Sequence, residues 1–412
     1  MSADVRPALL GGPPAFGDGL PLTRVALSGR EALQQRLTAI LDSGMLTNGA
    51  TVRELEERIA ARLGVAHAVA VANCTAGLML VYQALGVAGR RVVLPSFTFA
   101  ASAHAAVWAG AAVDFADVDP ATATLDPADV DGHLDGAAAL SATHVYGTPC
   151  DVEALQKVAD EAGVPVVYDA AHALGSVHQG VPVGRFGTAE VFSLSPTKVV
   201  VAGEGGIVTT GDPALAGALR IGRDYGNPGD YDCRFPGLNA RLSELHAAVA
   251  LASLDGLDER IEHRNELARV FAGELDGLPG IRVVVPPPGD RSTFKDLTVV
   301  IDARRFGVDA AVMQLALRAE GIDSRRYYHP PIHRQQAYAA RWATPRPLPV
   351  TDELAASALS PPLWSHMDAA TVRRVAEAFV RVHDNAGAVA RAASGSRPLG
   401  TIVDGMTNSA DG

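Results

Sequence analysis

The chain has 412 residues and a formal net charge of −11, long enough for a large α/β domain and a smaller one, each with its own core. An acidic surface repels nucleic acid and anionic membranes, so neither is expected as a partner. Three cysteines, Cys74, Cys150 and Cys233, lie far apart without CxxC spacing, which fits a reducing cytosol and no metal site.

Residues 1–29 read as an irregular arm, rich in glycine and proline around Gly11-Gly12-Pro13-Pro14. Asp4 and Arg6 interrupt any apolar run there, so no secretory signal is expected and the protein is placed in the cytoplasm. Amphipathic helices follow at 30–43 and 51–63. Two long uncharged stretches, 65–89 and 92–113, carry His67, Asn73, Pro95, Thr98 and His104. Such residues argue for buried strand, turn and helix in a parallel sheet rather than a membrane span. Strands are predicted at His67–Ala72, Arg91–Leu94, Val113–Ala116, Ala139–Val145, Pro165–Tyr168, Val191–Ser193 and Gly206–Thr210. Helices are predicted at Ala76–Leu85, Ala100–Trp108, Val152–Ala162 and Ala214–Ile221. This alternation predicts an α/β fold: a mostly parallel seven-stranded sheet with helices on both faces. Residues 30–255 form the large domain. Arg241–Leu275 reads as long helical sequence, and 256–390, with a strand at Phe294–Ile301 and helices at Asp309–Glu320 and Ala369–His383, as a smaller C-terminal α/β domain. Residues 391–412, polar and glycine-rich, are expected to be disordered.

Lys198 is the most informative residue. It stands alone in the uncharged run Val191 to Gly203. A lysine desolvated without a carboxylate partner gives up its proton near neutral pH, the condition for Schiff-base chemistry with a carbonyl or with pyridoxal 5'-phosphate (PLP). Upstream, Val164 to Asp169 reads as a buried strand ending in a carboxylate that needs a cation. A protonated pyridine nitrogen would supply one; an ordinary helix cap is the plainer alternative. Asn73-Cys74-Thr75-Ala76-Gly77 lies where a strand passes into a helix, so its N–H groups suit a phosphate as well as an N-cap. Gly203-Glu204-Gly205-Gly206 lacks the lysine and spacing of a P-loop and reads as a tight turn.

These segments, in order, resemble the DegT/DnrJ/EryC1/StrS sugar aminotransferases, a branch of the PLP fold-type I enzymes. Thr47-Asn48-Gly49, Asn73 to Leu78, Pro95-Ser96-Phe97-Thr98-Phe99, Asp169 to Ala173, Ser193 to Lys198 with Gly203 to Gly206, and Gly237 to Glu244 carry the likeness. It implies that Lys198 holds the cofactor and shuttles the proton, and that Asp169 pairs with the pyridine nitrogen. Thr75, Ala76 and Ser193 would meet the phosphate; Phe99 would stack on the ring, with His172 beside it. Asn239 would reach the phosphate of a partner subunit, making a homodimer with shared sites. Tyr328, His329 and His333 would touch substrate, and Arg241 an anionic group. Core packing for Phe99 and His172, a helix cap for Asn239, loop packing for the tyrosine–histidine segment and a plain salt bridge for Arg241 remain open alternatives.

The resemblance implies transfer of an amino group, from glutamate, to a nucleotide-linked keto sugar, with dTDP-4-keto-6-deoxyglucose, in antibiotic deoxysugar biosynthesis, the expected substrate. A 3-keto sugar or keto-cyclitol aminotransferase is the alternative in the same class. A non-catalytic PLP-binding regulatory protein is the alternative outside it. Lys198 itself argues against a sugar dehydratase, since related dehydratases carry histidine there. Leu194 and Ser195 stand where many members have an aromatic residue followed by histidine or tyrosine, so sugar specificity does not transfer with the likeness.

Overall fold

The computed structural model describes residues 6–25, 27–341 and 347–395. Its centre is a seven-stranded sheet with the spatial order His67–Val71, Gly206–Thr210, Ala189–Ser193, Val166–Asp169, Ala137–Thr143, Arg91–Pro95 and Ala112–Ala116. The last five strands in this order pair in parallel, whereas Gly206–Thr210 runs antiparallel to both its neighbours. Parallel neighbours need crossover helices, but an antiparallel pair can be joined by a loop alone. That loop, residues 194–205, therefore stays at the sheet edge where the parallel strands end, and it carries Lys198.

Strand interiors such as Val69, Val71, Val191 and Val208 are fully buried, each contributing about 1.5–3 kcal/mol of hydrophobic stabilisation. The two uncharged stretches are strand–helix pairs: His67–Val71 with Cys74–Ala84, and Arg91–Pro95 with Ala100–Trp108. Among the described residues no helix is long and apolar enough to cross a membrane. Helix starts are set by aspartate caps, with Asp151, Asp212, Asp309 and Asp368 each accepting an N–H from the first turn.

One helix is capped from far away in sequence. The buried Glu244 carboxylate accepts from the N–H groups of Gly49 (2.8 Å), Thr51 (2.8 Å) and Val52 (2.9 Å), at the start of helix Ala50–Leu63. The stretch predicted as one long helix is two, Glu244–Leu254 and Leu257–Glu274. They break at Gly256, whose φ of +67° a residue with a side chain adopts only with strain.

The smaller domain packs Phe271, Phe306 and Phe379 between helices and a three-stranded sheet, Ile281–Val283, Val299–Ile301 and Ala358–Leu359. Of the strand predicted over Phe294–Ile301, only Val299–Ile301 forms. The preceding residues are held by a side chain instead: the buried Arg264 guanidinium donates to the carbonyls of Thr293, Phe294 and Lys295. The arm is ordered by the smaller domain. The buried Glu320 carboxylate accepts from the N–H groups of Ala8 and Ala15, and Leu20 N donates to the Gly321 carbonyl at 2.7 Å. Helix Ala386–Gly395 takes in residues 391–395 of the expected tail, because Val389 packs into the smaller domain's core; residues 396–412 lie outside the described residues.

Candidate active site

Strand Val166–Asp169 is buried throughout and ends the carboxylate of Asp169, 3% exposed, at the carboxyl edge of the sheet. Ser102 Oγ donates to its Oδ2 at 2.6 Å, and Ala171 N donates to Oδ1 at 3.1 Å. Ser102 is itself linked to Thr98, and Thr98 to Thr143, each at 3.1 Å. Among the described residues no Lys, Arg or His forms an ion pair with this carboxylate. A buried anion so placed calls for a cation, and two oxygens with about four acceptor positions leave room for one more donor.

Lys198 faces the same end of the sheet. Its loop is closed by Leu194 N to the Gly205 carbonyl (2.8 Å), Ala202 N to the Leu194 carbonyl (2.7 Å) and Val201 N to Ser253 Oγ (3.0 Å). Its ammonium makes no hydrogen bond or ion pair among the described residues. Desolvation, and then the nearby Lys295 charge, bring its pKa from 10.5 down to about 8, against weaker opposition from Asp296, Cys74 and Asp169. At pH 7 about one molecule in ten then carries the neutral amine, against roughly one in three thousand for an ordinary lysine.

Helix Cys74–Ala84 starts against these groups. Gly77 and Gly206 let it come close: a Cβ on Gly77 would meet Val191 Cγ1 at 2.8 Å, and one on Gly206 would meet the Asn73 backbone at 2.6 Å. Ser193 pairs with Gly206 across the sheet, so its hydroxyl lies beside this helix end. The prediction for Ala76 needs correction. Its N–H is taken by the Asn73 side chain at 2.8 Å, because Asn73 is the cap. The N–H of Thr75 has no acceptor among the described residues and, with the helix dipole, is the group open to an anion.

His172 is nearly buried. Desolvation, with Lys198 and Lys295 nearby, holds its pKa well below the ordinary histidine value, so the ring is neutral. Phe99 is 62% exposed at the start of helix Ala100–Trp108, not a core residue. With Arg325, Arg326, Tyr327, Tyr328 and His329 it lines a cleft of about 370 Å³. Tyr328 is buried edge-on to Phe97 at 5.6 Å and parallel to the Tyr146 ring at 6.3 Å.

Three expected residues stand elsewhere. His333 is buried, with Nδ1 2.7 Å from Ser96 Oγ and Nε2 3.2 Å from Asp352. Its ring is committed to the fold, which corrects the expectation that it touches substrate. Asn239 is exposed and bridged to Asp224, beside the edge strand through Ala72 N and the Ala240 carbonyl (2.8 Å). Arg241 pairs with Asp224 and lies over the Tyr225 ring at 5.3 Å. Neither lines the cleft at Lys198 or that at Phe99.

Lys295 and Asp296, absent from the sequence prediction, are part of the site. They form a buried ion pair, Nζ to Oδ1, at 2.8 Å, and Lys295 lines the same narrow cleft as Lys198. The run Ser292 to Ile301 is otherwise uncharged, but the adjacent Lys295 and Asp296 read in sequence as a local ion pair, so the signal that marks Lys198 does not mark them.

An amine that is neutral at useful pH, an unpaired buried carboxylate and a helix end open to an anion are the donor set PLP requires. On this sheet they define a PLP-dependent aminotransferase of fold type I. The model of the DegT/DnrJ/EryC1/StrS aminotransferase family matches residues 28–380, and the chain belongs to this family of PLP-dependent sugar aminotransferases. A crystal structure of DesI in the presence of its TDP-sugar product superposes with a TM-score of 0.87 at 39% identity, covering 94% of this chain and 99% of that one. The dTDP-3-amino-3,4,6-trideoxy-α-D-glucose transaminase of Streptomyces venezuelae is 34% identical, covering 83% of this chain and 89% of that protein. The erythromycin biosynthesis sensory transduction protein EryC1 of Saccharopolyspora erythraea is 35% identical, with 84% and 94% covered.

Proposed function

We propose that this enzyme aminates dTDP-4-keto-6-deoxyglucose, with glutamate as donor, giving dTDP-4-amino-4,6-dideoxyglucose for antibiotic deoxysugar assembly in the cytoplasm. The observation that carries the aminotransferase chemistry is the placement of an unpartnered Lys198, its pKa brought down to about 8, at the same end of the sheet as the cation-deficient carboxylate of Asp169. The choice of sugar rests on the likeness to DesI, which was crystallised with a TDP-sugar product.

Bound PLP supplies an electron sink and carries the amino group between donor and acceptor. Asp169, oriented by Ser102 and the Ala171 N–H, would hold a proton on the pyridine nitrogen. Thr75 N–H and the Ser193 hydroxyl would bind the phosphate. Lys198 would hold the cofactor, and its amine is the group placed to take and return the proton at the donor's α-carbon and at the sugar carbon. A neutral His172 beside these groups can donate or accept a hydrogen bond without adding charge. Phe99 would cover one face of the ring, and Arg325 and Arg326, which line the same cleft, suit a nucleotide diphosphate.

The exposed Asn239, together with exposed apolar side chains at Leu41, Met45 and Leu46, supports a homodimer in which Asn239 completes the partner's phosphate site. A 3-keto sugar is the competing substrate, favoured by the likeness to the 3-amino sugar transaminase.

The test is the visible absorbance of the protein with PLP, before and after glutamate, followed by a panel of keto sugars and keto-cyclitols. Expected are a yellow band bleached by glutamate and absent in Lys198→Ala, and amine product from the 4-keto sugar. A band indifferent to glutamate would support a binding-only regulatory role. Turnover of only the 3-keto sugar or the cyclitol would overturn the substrate assignment.

A further inference from the structure

The Lys295–Asp296 pair has no part in the mechanism above, yet it is built firmly into the wall of the Lys198 site. Its two side chains are 4% and 3% exposed. Lys295 also lies 5.4 Å from the centre of the Tyr327 ring. The segment that carries the pair is fixed from outside: Arg264 clamps the carbonyls of Thr293 to Lys295, and Ser176 Oγ accepts from Thr293 N at 3.1 Å. Taking both charges out of water is unfavourable unless their attraction and hydrogen bonds offset it. Here the offset is incomplete. Asp296 Oδ2 is buried with no hydrogen-bond partner, and so is His172 Nδ1, 3.9 Å away.

We propose that Lys295 is a positioning residue for Lys198: fixed by Asp296, its ammonium is a standing positive charge that keeps the Lys198 amine reactive at neutral pH. This rests on the assignment of Lys198 as the reactive lysine. The groups facing Lys198 come from every element around it. Cys74 stands at the helix end, Asp169 at the strand end and His172 in the loop beyond. Arg264 comes from the long helix, Arg24 from the arm, and Lys295 and Asp296 from the smaller domain. After desolvation, Lys295 is the strongest influence towards the neutral amine; Asp296, Cys74 and Asp169 pull the other way. Two ammonium groups in one desolvated cleft cannot both hold their protons easily, and the one without a carboxylate partner yields first.

The opposed signs within the pair supply the test. On the full chain freed of PLP, the rate at which acetic anhydride acetylates Lys198 is followed against pH by mass spectrometry of its peptide. The wild-type midpoint is expected near pH 8. Lys295→Met removes the cation and leaves Asp296 unpaired, so the midpoint rises by about one unit or more, a tenfold or greater slowing at pH 7. Lys295→Arg keeps the charge and the parent profile. Asp296→Asn lowers the midpoint. A structural role alone would move none of these profiles in opposite directions. Thermal melts verify the fold, and if Lys295→Met does not fold, the downward shift in Asp296→Asn decides the matter. Parent-like midpoints in Lys295→Met or in Asp296→Asn, or an Arg variant that behaves like the Met variant, would overturn the proposal. Because labelling is read without cofactor, it is separable from the function assignment, whose failure would appear as absence of colour with PLP in the parent.

Discussion

Replacing Glu244 by alanine should be among the most destabilising single changes in the large domain. Its carboxylate receives three N–H bonds of 2.8–2.9 Å in a buried setting. Bonds to a charged acceptor contribute about 1.5–3 kcal/mol each, or about 4.5–9 kcal/mol for three. Removing the carboxylate also relieves several kcal/mol of desolvation, leaving a net loss of about 3–5 kcal/mol. Glu244→Gln is the sharper probe. One amide oxygen can still serve Gly49 and Val52, which share Oε1, but the NH2 group then faces the Thr51 N–H, donor against donor. A loss of about 2–3 kcal/mol is expected. Equilibrium urea unfolding measures the total, and hydrogen exchange of the 45–55 peptide reads the helix start directly. If Glu244→Gln unfolds within about 0.5 kcal/mol of the parent and exchange at 49–52 is unchanged, Glu244 is not the cap and the reasoning fails.

Gly206→Ala places a methyl group 2.6 Å from the Asn73 backbone, which cannot rotate away, whereas Gly77→Ala meets only valine methyl groups at 2.8 Å and beyond. The first should therefore weaken PLP binding at least tenfold more than the second, read by absorbance titration, with overpacking costs of about 1–3 kcal/mol in each melt. Ser102→Ala removes the 2.6 Å bond to Asp169; a loss of about 1.5–3 kcal/mol should reduce PLP affinity or turnover about ten- to a hundredfold, with little change in fold by circular dichroism. His178 lies between Glu153 (2.6 Å) and Asp290 (2.9 Å). Burial opposes its charge, but hydrogen bonds to Asp290 and Glu153 prevail and raise its pKa above 6.5. Burial likewise opposes ionisation of Glu153, and the bond to His178 prevails to lower its pKa below 4.5. The pair's contribution is thus fully present between about pH 4.5 and 6.5. It fades as pH rises through the raised histidine value or falls through the lowered glutamate value. The melting-temperature gap between the parent and His178→Asn should be widest in that window and close towards pH 9; a gap independent of pH would exclude the linkage.

The strands and helices of the large domain were legible because each is a short apolar run or amphipathic period bounded by Asp, Gly or Pro, and such signals are local. Lys198 and Asp169 were legible for the same reason: a charge within or at the end of an apolar run has no local partner, so its purpose lies elsewhere. What sequence alone could not decide depends on partners distant along the chain. Whether Ala76 or Thr75 keeps a free N–H turns on the rotamer of Asn73. His333 is removed from the cleft by Ser96, 237 residues earlier. The cap of helix Ala50–Leu63 is supplied by Glu244, 195 residues beyond Gly49. Lys295 and Asp296 look like an ordinary charged couple in sequence, and only the docking of the smaller domain, through Arg264, brings them to Lys198. Local pattern determined the elements and singled out Lys198 as the candidate for the reactive lysine. The tertiary structure decided its electrostatic surroundings, because the field at an amine depends on which charges lie within a few ångströms of it, not on how far apart they are in the chain.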